Sequence, residues 1–188
     1  KENGAVVTWG DERWGGDSSA VQDQLTEGVT HIVTSNFAMA AIKENGAVVT
    51  WGRSSSGGLM SSSVSQELSS GVQKIFSTNE AFAALKEDGS VVTWGSGSSG
   101  GNSSDVADSL SGGVATIFNN TRAFAALKED GSVVNWGWSN QSGTAGLSSG
   151  VVHVAMNNSA YAALKEDGSV VTWGSVFSGG STYAPEPY

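Results

Sequence analysis

Two histidines, His31 and His153, share one register, three residues after the glycine of a recurring Gly-Val pair. Imidazoles at matched positions could hold a metal ion or move a proton near neutral pH. Either role needs a cluster of partner ligands, and the sequence places none beside them; Lys74 and Thr116 fill the same register elsewhere. The acidic pairs Glu87-Asp88, Glu129-Asp130 and Glu166-Asp167 raise the possibility of calcium. Each is followed by glycine, where a turn already requires Asp-Gly, and no loop alternates carboxylates at ligand spacing. Serine is abundant, yet none stands with His and Asp in an elbow such as G-x-S-x-G. The glycine-rich strings lack a phosphate-loop lysine. With no cysteine there is no thiolate chemistry and no disulfide. The sequence therefore predicts a non-enzyme with no catalytic residue, no cofactor and no metal.

Recognition chemistry is better represented. Five of the seven tryptophans, Trp9, Trp51, Trp94, Trp136 and Trp173, recur within one motif and read as structural. Trp14 and Trp138 lie outside it, and an exposed Trp is a strong anchor for a protein partner. Counted from each Gly-Val glycine, the seventh to ninth residues read SNF (35–37), TNE (78–80), NTR (120–122) and NNS (157–159). Residues on either side barely change. Variation confined to one rim of a uniform scaffold is how repeat proteins build binding surfaces. Phe37, Glu80, Arg122 and Ser159 thus join Trp14 and Trp138 as protein-binding candidates.

The elements that must position these residues are repeats. "ALKEDGSVVTWG" at 84–95 returns at 163–174 and, with one change, at 126–137; looser copies lie at 41–52 and at the start of the chain. The motif tryptophans are 42, 43, 42 and 37 residues apart, while each of Gly28, Gly71, Gly113 and Gly150 precedes its Trp by 23. A rigid core with connections of variable length describes stacked supersecondary units. We divide the chain into a partial hairpin at 1–10, repeats at 11–52, 53–95, 96–137 and 138–174, and a tail at 175–188. In 71–95, "VQKIFS" reads as a strand, "AFAALKE" as a second, and "SVVTWG" as a third that returns across a two-residue Asp-Gly turn needing positive φ at both residues. Lys86 and Glu87 fall near the tip, in solvent. Val21/Leu25, Val64/Leu68 and Val106/Leu110 stand four apart behind Ser or Asp, which predicts one or two helical turns in each connection, with a short fourth strand as the competing form. The fourth connection is too short for that helix and keeps only Leu147.

The predicted fold is all-β: a propeller-type array of about four antiparallel blades, each of three to four strands, with short helical turns between them. "AALKEDGSVVTWG" resembles the repeat of the regulator of chromosome condensation family, whose blades carry a pattern like A-L-x-x-D-G-x-V-x-x-W-G. The resemblance covers residues 1–174 and implies a propeller, which in that family has seven blades. It also implies a choice of roles: a scaffold or adhesion module of a larger surface protein, an inhibitor or regulator of one partner, or a nucleotide exchange factor. Near-identical tandem units further resemble long microbial repeat proteins, which implies an extracellular or cell-surface location. Four units with an unpaired hairpin half predict an open arc, or part of a larger ring, completed by a protein partner or by further copies of the repeat. The chain starts inside a repeat, as a fragment would. Its formal charge of −9 disfavours nucleic acid and anionic membranes as partners, and no apolar run is long enough for membrane insertion. Asn102, Asn119, Asn140 and Asn157 head glycosylation sequons, which matter only in a secreted eukaryotic protein.

Overall fold

The structure is a computed structural model and describes residues 2–138 and 146–180. Twelve strands form four separate three-stranded antiparallel sheets, taken in chain order. The first contains β1 (Val29–Thr34), β2 (Ala38–Lys43) and β3 (Val48–Gly52). The second contains β4 (Val72–Ser77), β5 (Ala81–Lys86) and β6 (Val91–Gly95). The third contains β7 (Val114–Asn119), β8 (Ala123–Lys128) and β9 (Val133–Gly137), and the fourth β10 (Val151–Met156), β11 (Ala160–Lys165) and β12 (Val170–Gly174). The first strands, β1, β4, β7 and β10, touch in succession and so lie nearest the axis of the arc. Each carries a bulge at its second residue, Thr30, Gln73, Ala115 or Val152.

The first three connections are helical as expected: a 3-10 turn at Ser19–Leu25, an α-helix, α1, at Ser62–Glu67, and a 3-10 turn at Ser104–Leu110. Ser61 caps α1, its hydroxyl accepting from the Val64 N–H at 3.3 Å. The fourth connection lies largely outside the described residues. Every connection delivers a buried leucine three residues before the next Gly-Val: Leu25, Leu68, Leu110 and Leu147.

No unit has a core of its own. The four hydrophobic clusters sit at the boundaries between units, and alternate residues of each middle strand point into different clusters. Ala81, Ala83 and Leu85 of β5 face the third unit, where they meet Phe124, Trp136 and Leu110. Phe82 and Ala84 of the same strand face back toward Ala38, Ala40 and Ile42 of the first. Each unit thus offers a small face to the next and a large face to the one before. The large face is an aromatic pair across two strands: Phe82 on Trp94, Phe124 on Trp136 and Tyr161 on Trp173, with ring centroids 5.2, 5.3 and 5.0 Å apart. The expectation of buried, equivalent motif tryptophans holds from Trp51 to Trp173. Three of their indoles donate to main-chain carbonyls: Trp51 Nε1 to Gly15 at 2.9 Å, Trp94 Nε1 to Gly57 at 3.1 Å and Trp136 Nε1 to Gly100 at 3.0 Å.

The turn differs from the expected two-residue form. Lys86 N–H donates to the Ser90 carbonyl at 2.9 Å and Gly89 N–H to the Lys86 carbonyl at 3.0 Å, so Glu87-Asp88-Gly89 is a three-residue loop. Gly89 has φ of 76°, as its equivalents do, but no described non-glycine residue has positive φ. The neighbouring unit explains the choice. Val114 N–H donates to the Gly89 carbonyl at 3.0 Å. A Cβ on Gly89 would lie 2.8 Å from the Gly113 nitrogen. Lys86 is a second correction. Its ammonium is not free in solvent but donates to the Glu67 carbonyl at 3.0 Å, at the C-terminal end of α1, where a cation offsets unpaired carbonyls. Lys43, Lys128 and Lys165 do the same for Gln24, Ser109 and Gly146. Glu87 is exposed as expected.

The sheets do not close into a ring. Trp9 is 82% exposed, against 1% for Trp173 at the same register. Ile32 is exposed where Ile75, Ile117 and Val154 are buried, and at the far end Leu164 and Val170 are exposed where Ile42, Leu85 and Val48 are not. Residues 181–188, part of the tail, lie outside the described residues.

Two substitutions test this architecture. Trp94→Ala removes one member of a boundary pair, and chemical denaturation should show a loss of roughly 3–5 kcal/mol. Gly89→Ala and Gly168→Ala share the cost of a side chain at positive φ, about 1–2 kcal/mol. Nothing stands within 4 Å of a Cβ on Gly168. Gly89→Ala should therefore be the worse by at least about 1 kcal/mol, the low end for overpacking.

Candidate functional site

The loops joining the first two strands of each unit, with the residues that follow each third strand, form one rim. Their three variable positions have different jobs. The seventh residue is fixed in chemistry although it varies in type. Ser35 Oγ, Thr78 Oγ1, Asn120 Oδ1 and Asn157 Oδ1 each accept the N–H of the residue that opens the next strand, at 2.9–3.1 Å. The eighth links units through the main chain: Asn36 N–H donates to the Asn79 carbonyl and Asn79 N–H to the Thr121 carbonyl, both at 2.9 Å. Thr121 Oγ1 continues the chain to the Asn158 carbonyl at 2.7 Å. Only the ninth residue, Phe37, Glu80, Arg122 or Ser159, is left to vary freely.

Each ninth residue is tied to the residue after the strand-ending glycine. The N–H groups of Arg53, Ser96, Trp138 and Ser175 donate to the carbonyls of Phe37, Glu80, Arg122 and Ser159 at 2.8–3.0 Å. A Cβ on Gly95 would sit 2.7 Å from the Glu80 carbonyl oxygen, so glycine is required for this approach. The scaffold thereby presents a side-by-side pair of side chains once per unit.

Two of these pairs are assembled. In the first unit the Arg53 guanidinium lies 4.2 Å over the Phe37 ring, and Trp14 meets the same ring edge-on at 6.0 Å. In the third the Arg122 guanidinium lies 5.3 Å over Trp138. Such contacts hold a cation in place while leaving its edge open. Trp14 and Trp138 are each 53% exposed. The structure thus joins Trp14 to Phe37 and Arg122 to Trp138; Glu80 and Ser159 occupy the same register beside Ser96 and Ser175. Sequence reasoning passed over Arg53. The signal was its place immediately after the strand-ending glycine, the position Trp138 holds two units later.

Inside the rim is a concavity of about 440 Å³ lined by uncharged groups, among them Asn36, Ser77, Asn79 and Thr121. It contains no nucleophile paired with a base. Among the described residues no three His, Asp or Glu side chains converge on a common point. His153 instead packs edge-on against Phe118 at 5.8 Å, and no described helix is long and apolar enough to cross a membrane.

The opposite face carries the acidic turns. Asp88 Oδ1 accepts from the Ser90 N–H and hydroxyl at 2.9 and 2.6 Å, and Asp130 with Ser132 and Asp167 with Ser169 repeat the arrangement. These bonds, led by the serine hydroxyl, hold all three carboxyls below the usual range. At the edge of the rim, the Arg13 side chain lowers Asp11 to about 2.

Comparison with known proteins agrees with this architecture. No family model and no curated protein matches the chain. Among solved structures it is similar to Prp20p of Saccharomyces cerevisiae, at 17% identity and a TM-score of 0.54, over 82% of this chain and 45% of that one. It is likewise similar to the Crinkly WD40 ectodomain of the receptor kinase ACR4 of Arabidopsis thaliana, at 18% identity and a TM-score of 0.53, over 78% of this chain and 50% of that one. The chain shares the propeller-repeat fold of these proteins and spans half of their length or less.

The acidic turns give a pH dependence. A depressed folded-state pKa contributes stability that is full above the unfolded value, near 3.8, and is lost as pH falls through the folded one. Replacing Asp88, Asp130 and Asp167 together by Asn should flatten the acid limb of the stability curve below about pH 4 by lowering stability at neutral pH, where the carboxylates contribute in full, toward the acid value. Denaturation midpoints measured from pH 7 to pH 2 check this.

Proposed function

We propose that this chain is a non-enzymatic protein-interaction module, a propeller arc of a larger extracellular or surface protein that uses its rim to hold a partner. One observation carries the reading. Hydrogen bonds from every other rim position fix the loops, while the ninth residue and its neighbour vary from unit to unit and are, in two units, an exposed arginine stacked on an aromatic ring. Aromatic and Arg side chains on a rigid frame are the usual anchors of protein interfaces. The fold supports the same reading, since Prp20p is described for its binding to Gsp1p and histones. A second role, assembly with further units of the same kind, is favoured by the exposure of Ile32 and Leu164 on the two end faces.

Site-specific photocrosslinking in an extract of the source organism tests both. A crosslinker at position 37 or 122 should capture one stoichiometric partner, with the yield falling at least tenfold in a Trp14→Ala/Trp138→Ala variant, about 1.4 kcal/mol. Crosslinks found only from positions 32 and 164, to copies of the same repeat, would favour assembly and remove the rim reading.

A further inference from the structure

The cations of the described residues fall into two groups. Lys43, Lys86, Lys128 and Lys165 donate to main-chain carbonyls, and Arg13 pairs with Asp11 at 2.6 Å. The others, Arg53, Arg122 and Lys74, have no oxygen partner among the described residues, and each lies over an aromatic ring. Two of these three stand on the rim. In the first unit the aromatic is the ninth residue and the cation follows the glycine; in the third the order is reversed. Exchange of the members with retention of the pair marks the pair as the unit of function. Between them, in the second unit, the same register carries the opposite charge, Glu80.

A guanidinium stacked face-on keeps its in-plane N–H donors free at the edge, in the fork that fits a carboxylate. The ring beneath limits its rotamers, so less freedom is lost when a ligand binds. An exposed Arg–carboxylate pair contributes little by itself, but one covered by a partner and hydrogen-bonded gains strength. The whole chain, at −9, repels a partner that is acidic throughout. Local and global charge are reconciled by a partner that is not net negative but places carboxylates at two chosen points.

The geometry points to a protein partner that sets one Asp or Glu against Arg53 and another against Arg122, with a basic or neutral side chain opposite Glu80. This rests on the rim being the binding face. Its test is selection of random peptides displayed on phage, with the intact chain as bait. Peptides taken by the native rim should be several-fold enriched in Asp and Glu over the starting library. On the Arg53→Glu/Arg122→Glu bait the enrichment should turn to Lys and Arg. Near-UV circular dichroism of the buried tryptophans shows whether that bait is folded; if it is not, Arg53→Gln/Arg122→Gln serves, and the acidic enrichment should vanish. Selected peptides without acidic excess, or with the same excess on both baits, overturn the proposal. If such peptides still crosslink from position 37, the rim remains a binding face and only its chemistry is refuted. If no rim-dependent peptide is selected, both fall.

Discussion

The fold depends on one contact, made at each boundary between the four three-stranded units: the stacked aromatic pair of one unit seated on the alanine face of the unit before it. Phe82 and Trp94 fill the space over Ala38 and Ala40, and the next boundary repeats this with Phe124 and Trp136 over Ala81 and Ala83. Neither face could be satisfied alone. An alanine surface has too little area to form a core, and an aromatic pair left in water forfeits its apolar burial. Neighbouring units complete each other, and the wedge leucines Leu68 and Leu110 seal the joints. The glycine contact between a turn and the next Gly-Val then fixes the angle at which the joint closes, while the lysines tie each connection to its own sheet.

That angle organises the rim. Because successive loops are linked by main-chain hydrogen bonds from Asn36 to Asn79 to Thr121, the ninth residues are held at repeat spacing whatever their side chains. Recognition chemistry can change there without touching the boundaries, and stability resides where variation is absent. The two faces of the arc are also electrically distinct. One carries paired arginines and aromatics around an uncharged hollow, the other a row of acidic turns.

Much of this was legible in the sequence, for physical reasons that differ by element. The strands and their alternation could be read because both faces are buried against copies of the same motif, so "AFAALK" carries two patterns at once. The helical turns were visible in apolar pairs four residues apart. The turn type was not, because Asp-Gly suits both a two-residue turn and a three-residue loop, and the choice falls to Gly113 in the next unit. The lysine contacts were hidden by a separation of nineteen residues in sequence. At the rim, Ser35, Thr78 and Asn120 looked like variation, yet their oxygens do one job. Arg53 escaped notice because its significance lies in a ring sixteen residues upstream.

The interchangeability of the boundaries has a further consequence, for how such a chain changes length and how it folds. The aromatic faces of the second, third and fourth units are alike, as are the alanine faces they meet, so inserting or deleting one such repeat re-creates the junction it disturbs and alters only the angle that the arc subtends. Long-range order is then assembled from nearest-neighbour steps, and folding can begin at any interior junction and spread outward. The same equivalence gives a nascent chain several wrong neighbours that fit as well as the right one. Short connections resolve that competition by proximity, because the adjacent unit arrives before a distant one can.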